Sequence, residues 1–197
     1  MAEKVDRRIR KTKAQLRAGL ARLMQKKSIK EITVKELVDE VDINRSTFYL
    51  HYNDIYQMLE MIENELMDEV TRTIEEYPMD PEDSEIAYPL IEKIFSIMDD
   101  NKDICIALLG KNGDMVFVGR VEKMVGETIL HRLSGRMQVN NRELEYAYAF
   151  CLNGCVGLIK TWLSSQHQES TEYMARLTCQ MIEETTHNFL RQITGHS

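Results

Sequence analysis

The sequence predicts an all-α fold of about nine helices. Its 197 residues include only 9 Gly and 3 Pro, too few for the tight turns of a β-sandwich or for a collagen. Apolar residues make up 43% of the chain and recur at the three- and four-residue spacing of a helix face. Together these observations favour helices packed around apolar cores.

The chain lacks the sequence signals of a membrane or secreted protein. No apolar run reaches the length of about 18 residues that a transmembrane helix needs, and the sequence opens with charged residues. We therefore expect a cytoplasmic protein. The four cysteines form no Cys-x-x-Cys pair and lie in or beside apolar stretches, so we expect free thiols, with no metal site and no cofactor. They are Cys105, Cys151, Cys155 and Cys179.

The net charge of −7 is distributed unevenly along the chain. Residues 1–52 carry 13 Lys/Arg and 7 Asp/Glu, a net charge of +6, whereas residues 53–197 carry 12 and 25, a net charge of −13. A basic N-terminal part on an acidic body is typical of a nucleic-acid-binding head. A solvated basic helix face is the alternative that charge alone leaves open.

Four helices are predicted in the first seventy-five residues. Apolar spacing places the first from Arg7 to about Lys26. Asp54 is placed to cap the fourth, whose apolar stripe extends from Ile55 to Ile74. The remaining two helices are short and lie between them.

These two short helices outline a helix-turn-helix at about residues 32–52. Thr33 is placed to cap the second helix at the amide of Glu36, and the Glu36 carboxylate is expected to reach back to the amide of Thr33. Asn44 is placed to cap a third helix, from Arg45 to about His51. Such a pair can lay its second helix in the major groove of DNA.

The acidic body is predicted to contain five further helices. Pro78 and Pro81 mark a linker after the fourth helix, while Gly110 with Gly113, and Ser134-Gly135, mark later breaks. Ser170 is placed to cap the last helix. Helical patterns occur at about 84–99, 103–110, 115–134, 142–165 and 170–192.

Residue identities in the helix-turn-helix are informative. The run from Ile32 to Val38 is ITVKELV, and the run from Asn44 to Asp54 is NRSTFYLHYND. Within residues 7–66 the sequence closely resembles the DNA-binding domain of the TetR family of bacterial transcriptional regulators. The resemblance implies an all-helical fold with a DNA-binding domain at 1–66 and a dimerisation and effector-binding domain at 67–197.

The resemblance also implies roles for individual residues. The front of the recognition helix would reach base edges and the nearest phosphates, whereas Tyr49 and His51 would contact phosphates. Thr33 lies where helix amides and its hydroxyl could hold a phosphate. Phe48 and Tyr52 are expected to pack inward. The recognition-helix residues, with their cap, are Asn44, Arg45, Ser46 and Thr47.

Two positions depart from the usual family pattern. Asp42 stands in the turn where relatives commonly have Gly, so we expect it in the left-handed conformation that Asp tolerates. Ile55 stands where relatives often have Lys, which removes a common phosphate contact.

The helix at 142–165 has two useful faces. One face has mostly small side chains, which would let a second helix approach closely, and we interpret it as a dimer interface. Its residues are Ala147, Phe150, Gly154, Gly157 and Thr161. The other is bulky and soft, and with residues of neighbouring helices it is the candidate lining of an effector pocket, in which Tyr148 and the Trp162 indole could orient a ligand. That lining is Phe95, Met98, Met124, Tyr148, Cys151, Cys155 and Trp162.

The stretch from Gly154 to Leu163 also resembles the C-terminal domains of the TetR subgroup that includes dihydroxyacetone-kinase operon regulators. This resemblance implies that the last two helices pair with their copies in a second chain. The hypothesis is a homodimeric repressor that binds a pseudo-palindromic DNA operator and is released by a small apolar or amphipathic effector.

Other functions remain open at this stage. The regulator could respond to a protein partner or act as an activator. An enzyme is disfavoured because no nucleophile, zinc or phosphate-loop pattern is present, so we assign no catalytic residue. Cys151 and Cys155 share a helix face and could bind a soft metal or sense oxidation, although two core thiols are the simpler interpretation.

Overall fold

The computed structural model describes residues 2–77, 84–113, 115–134, 141–165 and 169–194. Over these ranges the chain is all-helical, with nine α-helices and no strand, which confirms the predicted fold class. None of the described helices is both long and apolar enough to cross a membrane. The helices are α1 (Ala2–Lys26), α2 (Val34–Glu40), α3 (Arg45–Tyr49), α4 (Ile55–Glu76), α5 (Ser84–Asp100), α6 (Lys102–Leu109), α7 (Met115–Ser134), α8 (Asn141–Ser164) and α9 (Thr171–Thr194).

Helix boundaries differ from the predicted ones at two places in the N-terminal part. Helix α1 begins at Ala2 and not at Arg7. Helix α3 ends at Tyr49 and not at His51, because the amides of His51 and Tyr52 both bond to the carbonyl oxygen of Phe48, at 2.9 and 3.0 Å, and close a turn. The expected linker at Pro78 and Pro81, and the expected break at Gly135, lie outside the described residues.

Side-chain caps begin three helices where the sequence predicts them. Oδ1 of Asn44 accepts from the amide of Ser46 at 2.9 Å at the start of α3. Oδ1 of Asp54 accepts from the amide of Gln57 at 2.8 Å before α4. At the start of α9 the hydroxyl of Ser170 accepts from an amide of the first turn at 3.2 Å. These bonds satisfy amides that have no partner within the helix.

The cap of α2 forms only in part as predicted. Oγ1 of Thr33 accepts from the amide of Glu36 at 3.2 Å, as expected. The Glu36 carboxylate does not reach back to Thr33; it accepts from Nζ of Lys27 at 2.6 Å. An ammonium group outcompetes a backbone amide here because a charge-assisted bond is stronger than a bond to a neutral donor.

The chain divides into two compact units. Unit 1 comprises Met1–Met67 and Asn101–Val118, and unit 2 comprises Asp68–Asp100 and Gly119–Ser197. The division within α4 lies between Met67 and Asp68, and unit 1 also takes in α6 and the start of α7. The functional boundary expected at 66/67 stays a prediction. Helices α4 and α7 therefore contribute residues to both units.

Helix α6 completes the core of unit 1 by packing against α1. Its inward side chains are almost wholly buried: Ile104, Cys105, Ala107 and Leu108. Arg17 of α1 fixes this arrangement, because its guanidinium donates to Oδ1 of Asn101 at 2.7 Å and to Oε2 of Glu65 at 3.3 Å. One arginine thus joins α1 to α4 and to the start of α6.

Unit 2 is built on α5, which packs against α8 and α9. Val70, Ile74 and Leu90 form a buried cluster there, against which Met98 and Met124 pack. The hydroxyl of Thr71, part-buried beside this cluster, donates to the sulfur of Met124 at 3.4 Å.

Gly19 marks a close approach between α1 and α2. A Cβ at this position would overlap Cγ1 of Val41 and lie 3.1 Å from Cδ1 of Leu37. Val41 is β-branched and therefore cannot easily rotate away. Glycine is required here by packing and not by backbone conformation.

We predict that Gly19→Ala destabilises the protein although alanine favours helices. Overpacking against Val41 should lower the free energy of unfolding by about 1–3 kcal/mol. The matched control is Gly119→Ala in α7, where a Cβ would meet nothing within 4 Å and helix propensity should raise stability by up to about 1 kcal/mol. Urea unfolding measures both; a Gly19→Ala variant as stable as the parent would contradict the packing argument.

Candidate functional site

Helices α2 and α3 form a helix-turn-helix with a left-handed residue in the turn. Asp42 has φ 52°, and it is the non-glycine residue with positive φ among those described. This confirms the conformation predicted for the residue that replaces the family's usual glycine. Left-handed backbone costs an L-residue about 1–2 kcal/mol, and Asp tolerates it better than most. The turn therefore keeps its geometry without glycine.

Helix α3 is fixed in orientation by aromatic packing on its inner side. Phe48 is 0% exposed, and its ring lies 5.6 Å from that of Tyr52, which is also buried. Both residues pack inward as predicted. Burial raises the pKa of the Tyr52 hydroxyl, with a further contribution from the charge of Glu65, so this hydroxyl stays protonated at neutral pH.

The predicted DNA-contacting residues lie on α3, at its cap, just after its end, and at the cap of α2. Thr33, Asn44, Arg45, Ser46 and Tyr49 are exposed, whereas Thr47 and His51 are half-buried. Tyr49 retains 47% of its surface exposed, so it is not a core aromatic residue. Five of the seven predicted side chains are therefore exposed to solvent.

Asn44 and Ser46 already use part of their hydrogen-bonding capacity. Oδ1 of Asn44 accepts from both the amide and the hydroxyl of Ser46, at 2.9 and 2.8 Å. The Asn44 side chain therefore offers its amino group, a donor suited to a phosphate oxygen, rather than its carbonyl.

Arg45 and Tyr49 contact each other across one turn of α3. Nη2 of Arg45 donates to the Tyr49 hydroxyl at 3.1 Å, and the guanidinium carbon lies 5.5 Å from the ring centroid. The sequence analysis assigned these residues separate roles and missed the pairing. The available signal was their four-residue spacing, which places side chains on the same helix face.

Two acidic residues of α2 are paired with bases. Glu36 bonds to Lys27, and Glu40 bonds to Nε of Arg22 at 2.7 Å. The hydrogen bond from Arg22 holds the pKa of Glu40 below its usual value. Exposed cations also lie on α1 and around α2, which leaves unit 1 suited to a polyanion: Arg7, Arg8, Lys11, Lys26, Lys30 and Lys35.

The small-residue face of α8 is open within the chain. A Cβ built on Gly154 or Gly157 would meet nothing within 4 Å. Phe150 is 68% exposed, Thr161 is exposed and Ala147 is half-buried. These glycines therefore have no packing reason among the described residues of a single chain.

The seven residues of the predicted pocket lie in unit 2 and form three groups. Met98 and Met124 pack on the Val70 cluster. Phe95 and Trp162 are buried and meet edge to face at 5.2 Å. The third group is Tyr148 with Cys151 and Cys155. The predicted ligand contact of the Trp162 indole is wrong in one respect: its N–H already donates to the carbonyl oxygen of Glu169 at 2.8 Å.

Tyr148 has an unusual environment. Its hydroxyl is buried and has no hydrogen-bond partner among the described residues. Its ring lies so close to α7 that a Cβ on Gly126 would be 3.1 Å from Cε1. Desolvation, helped by the charge of Glu122, raises the pKa of this hydroxyl strongly. Tyr148 is therefore a neutral donor that lacks an acceptor.

The cysteines have the properties of unreactive thiols. All four are free. Burial raises the pKa of Cys155 to about 11, and neighbouring Cys151 and Cys179 add to the shift. The thiolate is the reactive and metal-binding form, so these values argue against an oxidation sensor. Among the described residues no three metal-ligating side chains are grouped to hold an ion.

Comparison with known proteins gives one family match. The TetR_C_8 model, whose description is "Transcriptional regulator C-terminal region", matches residues 85–184, which is 100 of the 197 residues. No curated protein matches the sequence significantly. The family model does not name the dihydroxyacetone-kinase subgroup, so that assignment stays a prediction.

Solved structures share the fold at low identity. A TetR transcriptional regulator from Streptococcus agalactiae is 22% identical, with a TM-score of 0.57 over 92% of this chain and 99% of that chain. A TetR-family regulator from Streptomyces coelicolor is 15% identical, with a TM-score of 0.63 over 95% and 84%.

A third structure, the regulator FadR from Bacillus subtilis in complex with stearoyl-CoA, is 11% identical, with a TM-score of 0.59 over 86% of this chain and 96% of that chain. These likenesses concern the fold, and the family model adds a match in sequence. With the helix-turn-helix of α2 and α3, they show that this chain belongs to the TetR family of transcriptional regulators.

Proposed function

We propose that this regulator acts in the cytoplasm as a homodimer that binds a pseudo-palindromic duplex, with one α3 helix in each of two major grooves. The observation that carries the proposal is the outward face of α3, where Arg45, Ser46 and Tyr49 are exposed beside a buried Phe48. Residues 1–66 bind the operator, and residues 67–197 provide the dimer and effector surfaces.

The exposed side chains divide between reading bases and holding phosphates. A guanidinium can bond to O6 and N7 of guanine at once, whereas an amide, hydroxyl or imidazole N–H is suited to a single phosphate oxygen. Arg45 therefore supplies sequence preference, with Ser46 and Thr47 beside it. Thr33, Asn44, Tyr49 and His51 fix the register on the backbone.

We predict that Arg45→Ala relaxes the preference at one base pair of each half-site by about 1–3 kcal/mol. The operator is selected from random duplexes, and affinities are then measured by fluorescence anisotropy. If about four phosphates are neutralised per subunit, log affinity should fall with log salt at a slope near −7. The control is Lys123→Ala, which removes an exposed charge in unit 2 and should leave the preference at every base pair unchanged. Selection that enriches no palindrome would contradict the proposal.

The open face of α8 supports dimerisation through a second copy of the chain. Gly154, Gly157 and exposed Phe150 form a surface that another helix could approach closely. On α9, which packs beside α8, Tyr173 and Met181 are also exposed. A symmetric pairing of these helices would bury apolar side chains that are otherwise in water.

We predict that Gly154→Leu and Gly157→Leu each weaken the dimer by about 1–3 kcal/mol through overpacking between chains. Because a Cβ at either position would meet nothing within 4 Å among the described residues, the variants should still fold. Gly119→Leu introduces the same change at another open helical glycine and should leave the dimer intact. Sedimentation velocity measures the dimer fraction of all three variants. If Gly154→Leu and Gly157→Leu are both as dimeric as the parent, the interface lies elsewhere.

The buried Tyr148 hydroxyl supports a small-molecule effector with at least one hydrogen-bond acceptor. Bacillus subtilis FadR, with the same fold, binds stearoyl-CoA, so this fold can accommodate a large acyl ligand. Control requires an effector that binds the two states of the dimer with different affinity. A tilt of α4, which contributes to both units, is the simplest coupling, and repression relieved by the effector is the simplest outcome.

We predict that Tyr148→Phe leaves the unliganded protein as stable as the parent, or more stable by about 1 kcal/mol, because a buried hydroxyl without a partner costs free energy. The same change should weaken the effector's influence on operator binding. Metabolites are screened by thermal shift, and those that stabilise the parent are tested for operator release. If none does both, control by a protein partner becomes the better explanation.

A further inference from the structure

We infer that Tyr49 is a specificity-positioning residue, which holds the Arg45 guanidinium ready to read a base before DNA arrives. The inference rests on the proposed function and deepens it. It also goes beyond a phosphate contact, because a phosphate contact fixes register and carries no information about sequence.

Two contacts hold the guanidinium in place. The Tyr49 hydroxyl accepts from Nη2 of Arg45 at 3.1 Å, and the guanidinium lies over the Tyr49 ring at 5.5 Å. Arg45 is the first residue of α3 and Tyr49 the last. Their spacing of four residues places both side chains on one face of the helix.

Tyr49 is itself anchored to the core of unit 1. Its ring meets that of Phe48 edge to face, with centroids 5.4 Å apart and planes at 86°. Phe48 is completely buried and also contacts Tyr52. A continuous row of contacts therefore extends from the core, through two aromatic rings, to an exposed guanidinium.

This arrangement reduces the entropy that Arg45 loses on binding DNA and leaves most of its N–H donors free for a base. A free arginine side chain loses rotamer entropy when it is fixed, and Tyr49 imposes part of that order in the free protein. A guanidinium has five N–H donors and Tyr49 uses one of them, so enough remain for O6 and N7 of guanine.

The hydroxyl can serve DNA at the same time. A tyrosine oxygen that accepts from Arg45 can still donate its own proton to a phosphate oxygen. Tyr49 then links the backbone contact to the base contact, so loss of the hydroxyl lowers discrimination at the base that Arg45 reads as well as the overall affinity.

The test compares sequence preference in five proteins: the parent, Arg45→Ala, Tyr49→Phe, Tyr49→Leu and the double variant Arg45→Ala/Tyr49→Phe. Operators are selected with the parent. The base pair at which Arg45→Ala loses preference is then the pair that Arg45 reads. Discrimination at this pair is the ratio of affinities for two duplexes that differ only there, and all other pairs serve as internal controls.

Tyr49→Phe should lower discrimination at this pair about 2–10-fold, the contribution of one hydrogen bond. Tyr49→Leu should lower it a further factor of about 2–5, because the ring contact is also lost. In the Arg45→Ala background, Tyr49→Phe should leave discrimination at this pair unchanged. Discrimination at the other pairs should match the parent in every Tyr49 variant.

His51→Ala provides the contrasting control. As a proposed phosphate contact with no contact to Arg45 among the bonds described, it should lower affinity for all duplexes by one common factor. The melting temperature of Tyr49→Phe should match that of the parent, since the Tyr49 side chain is half-exposed.

Two results would overturn the inference while leaving intact the proposed binding of a palindromic operator by a homodimer, although the second would also remove the base-reading role proposed for Arg45. One is uniform weakening by Tyr49→Phe with unchanged discrimination, which would make Tyr49 a phosphate contact alone. The other is an Arg45→Ala variant that keeps every preference of the parent. A parent protein that selects no sequence would instead overturn the proposed function, and the inference with it.

Discussion

The candidate interface depends on the burial of Phe48. Helix α3 has only five residues, and a helix of that length is not stable alone because nucleation is costly. Packing of Phe48 beside Tyr52, together with the Asn44 cap, supplies the stability that local propensity lacks. Because one face of the helix is committed to the core, its opposite face is exposed. The Phe48 ring also contacts the Tyr49 ring, and Tyr49 contacts the exposed Arg45 guanidinium. Contacts therefore extend from the core to the side chain that we propose reads a base.

Electrostatics complements this packing. The chain is acidic overall, yet its N-terminal 52 residues carry a net charge of +6. Two carboxylates of α2 form ion pairs within this part of the chain, Glu36 with Lys27 and Glu40 with Arg22. Surface ion pairs of this kind add little to stability. Their consequence here is local: each places a base beside one carboxylate of α2, while other cations of α1 and α2 stay exposed.

In unit 2 the polar groups of Trp162 and Tyr148, which the sequence analysis treated alike as possible ligand contacts, have different environments. The Trp162 N–H is satisfied by the Glu169 carbonyl, and its ring is locked against Phe95, so it contributes to the core. The Tyr148 hydroxyl is equally removed from water but lacks an acceptor among the described residues. An unsatisfied buried donor is costly. That cost makes Tyr148 the stronger candidate for a ligand contact, and the thiols beside it are poorly suited to chemistry of their own.

The sequence by itself determined the features that depend on near neighbours. Caps at Asn44, Asp54 and Ser170, the left-handed Asp42 and the all-helical fold follow from bonds that span a few residues and from apolar periodicity. Only the tertiary structure decided that α6 completes the core of unit 1, that Lys27 donates to the Glu36 carboxylate, and that the Trp162 N–H donates to the Glu169 carbonyl oxygen. It also paired Arg45 with Tyr49. For Arg45 and Tyr49 the four-residue spacing permits the contact. The other outcomes depend on which of several competing partners packing brings within bonding distance, and no local pattern encodes that choice.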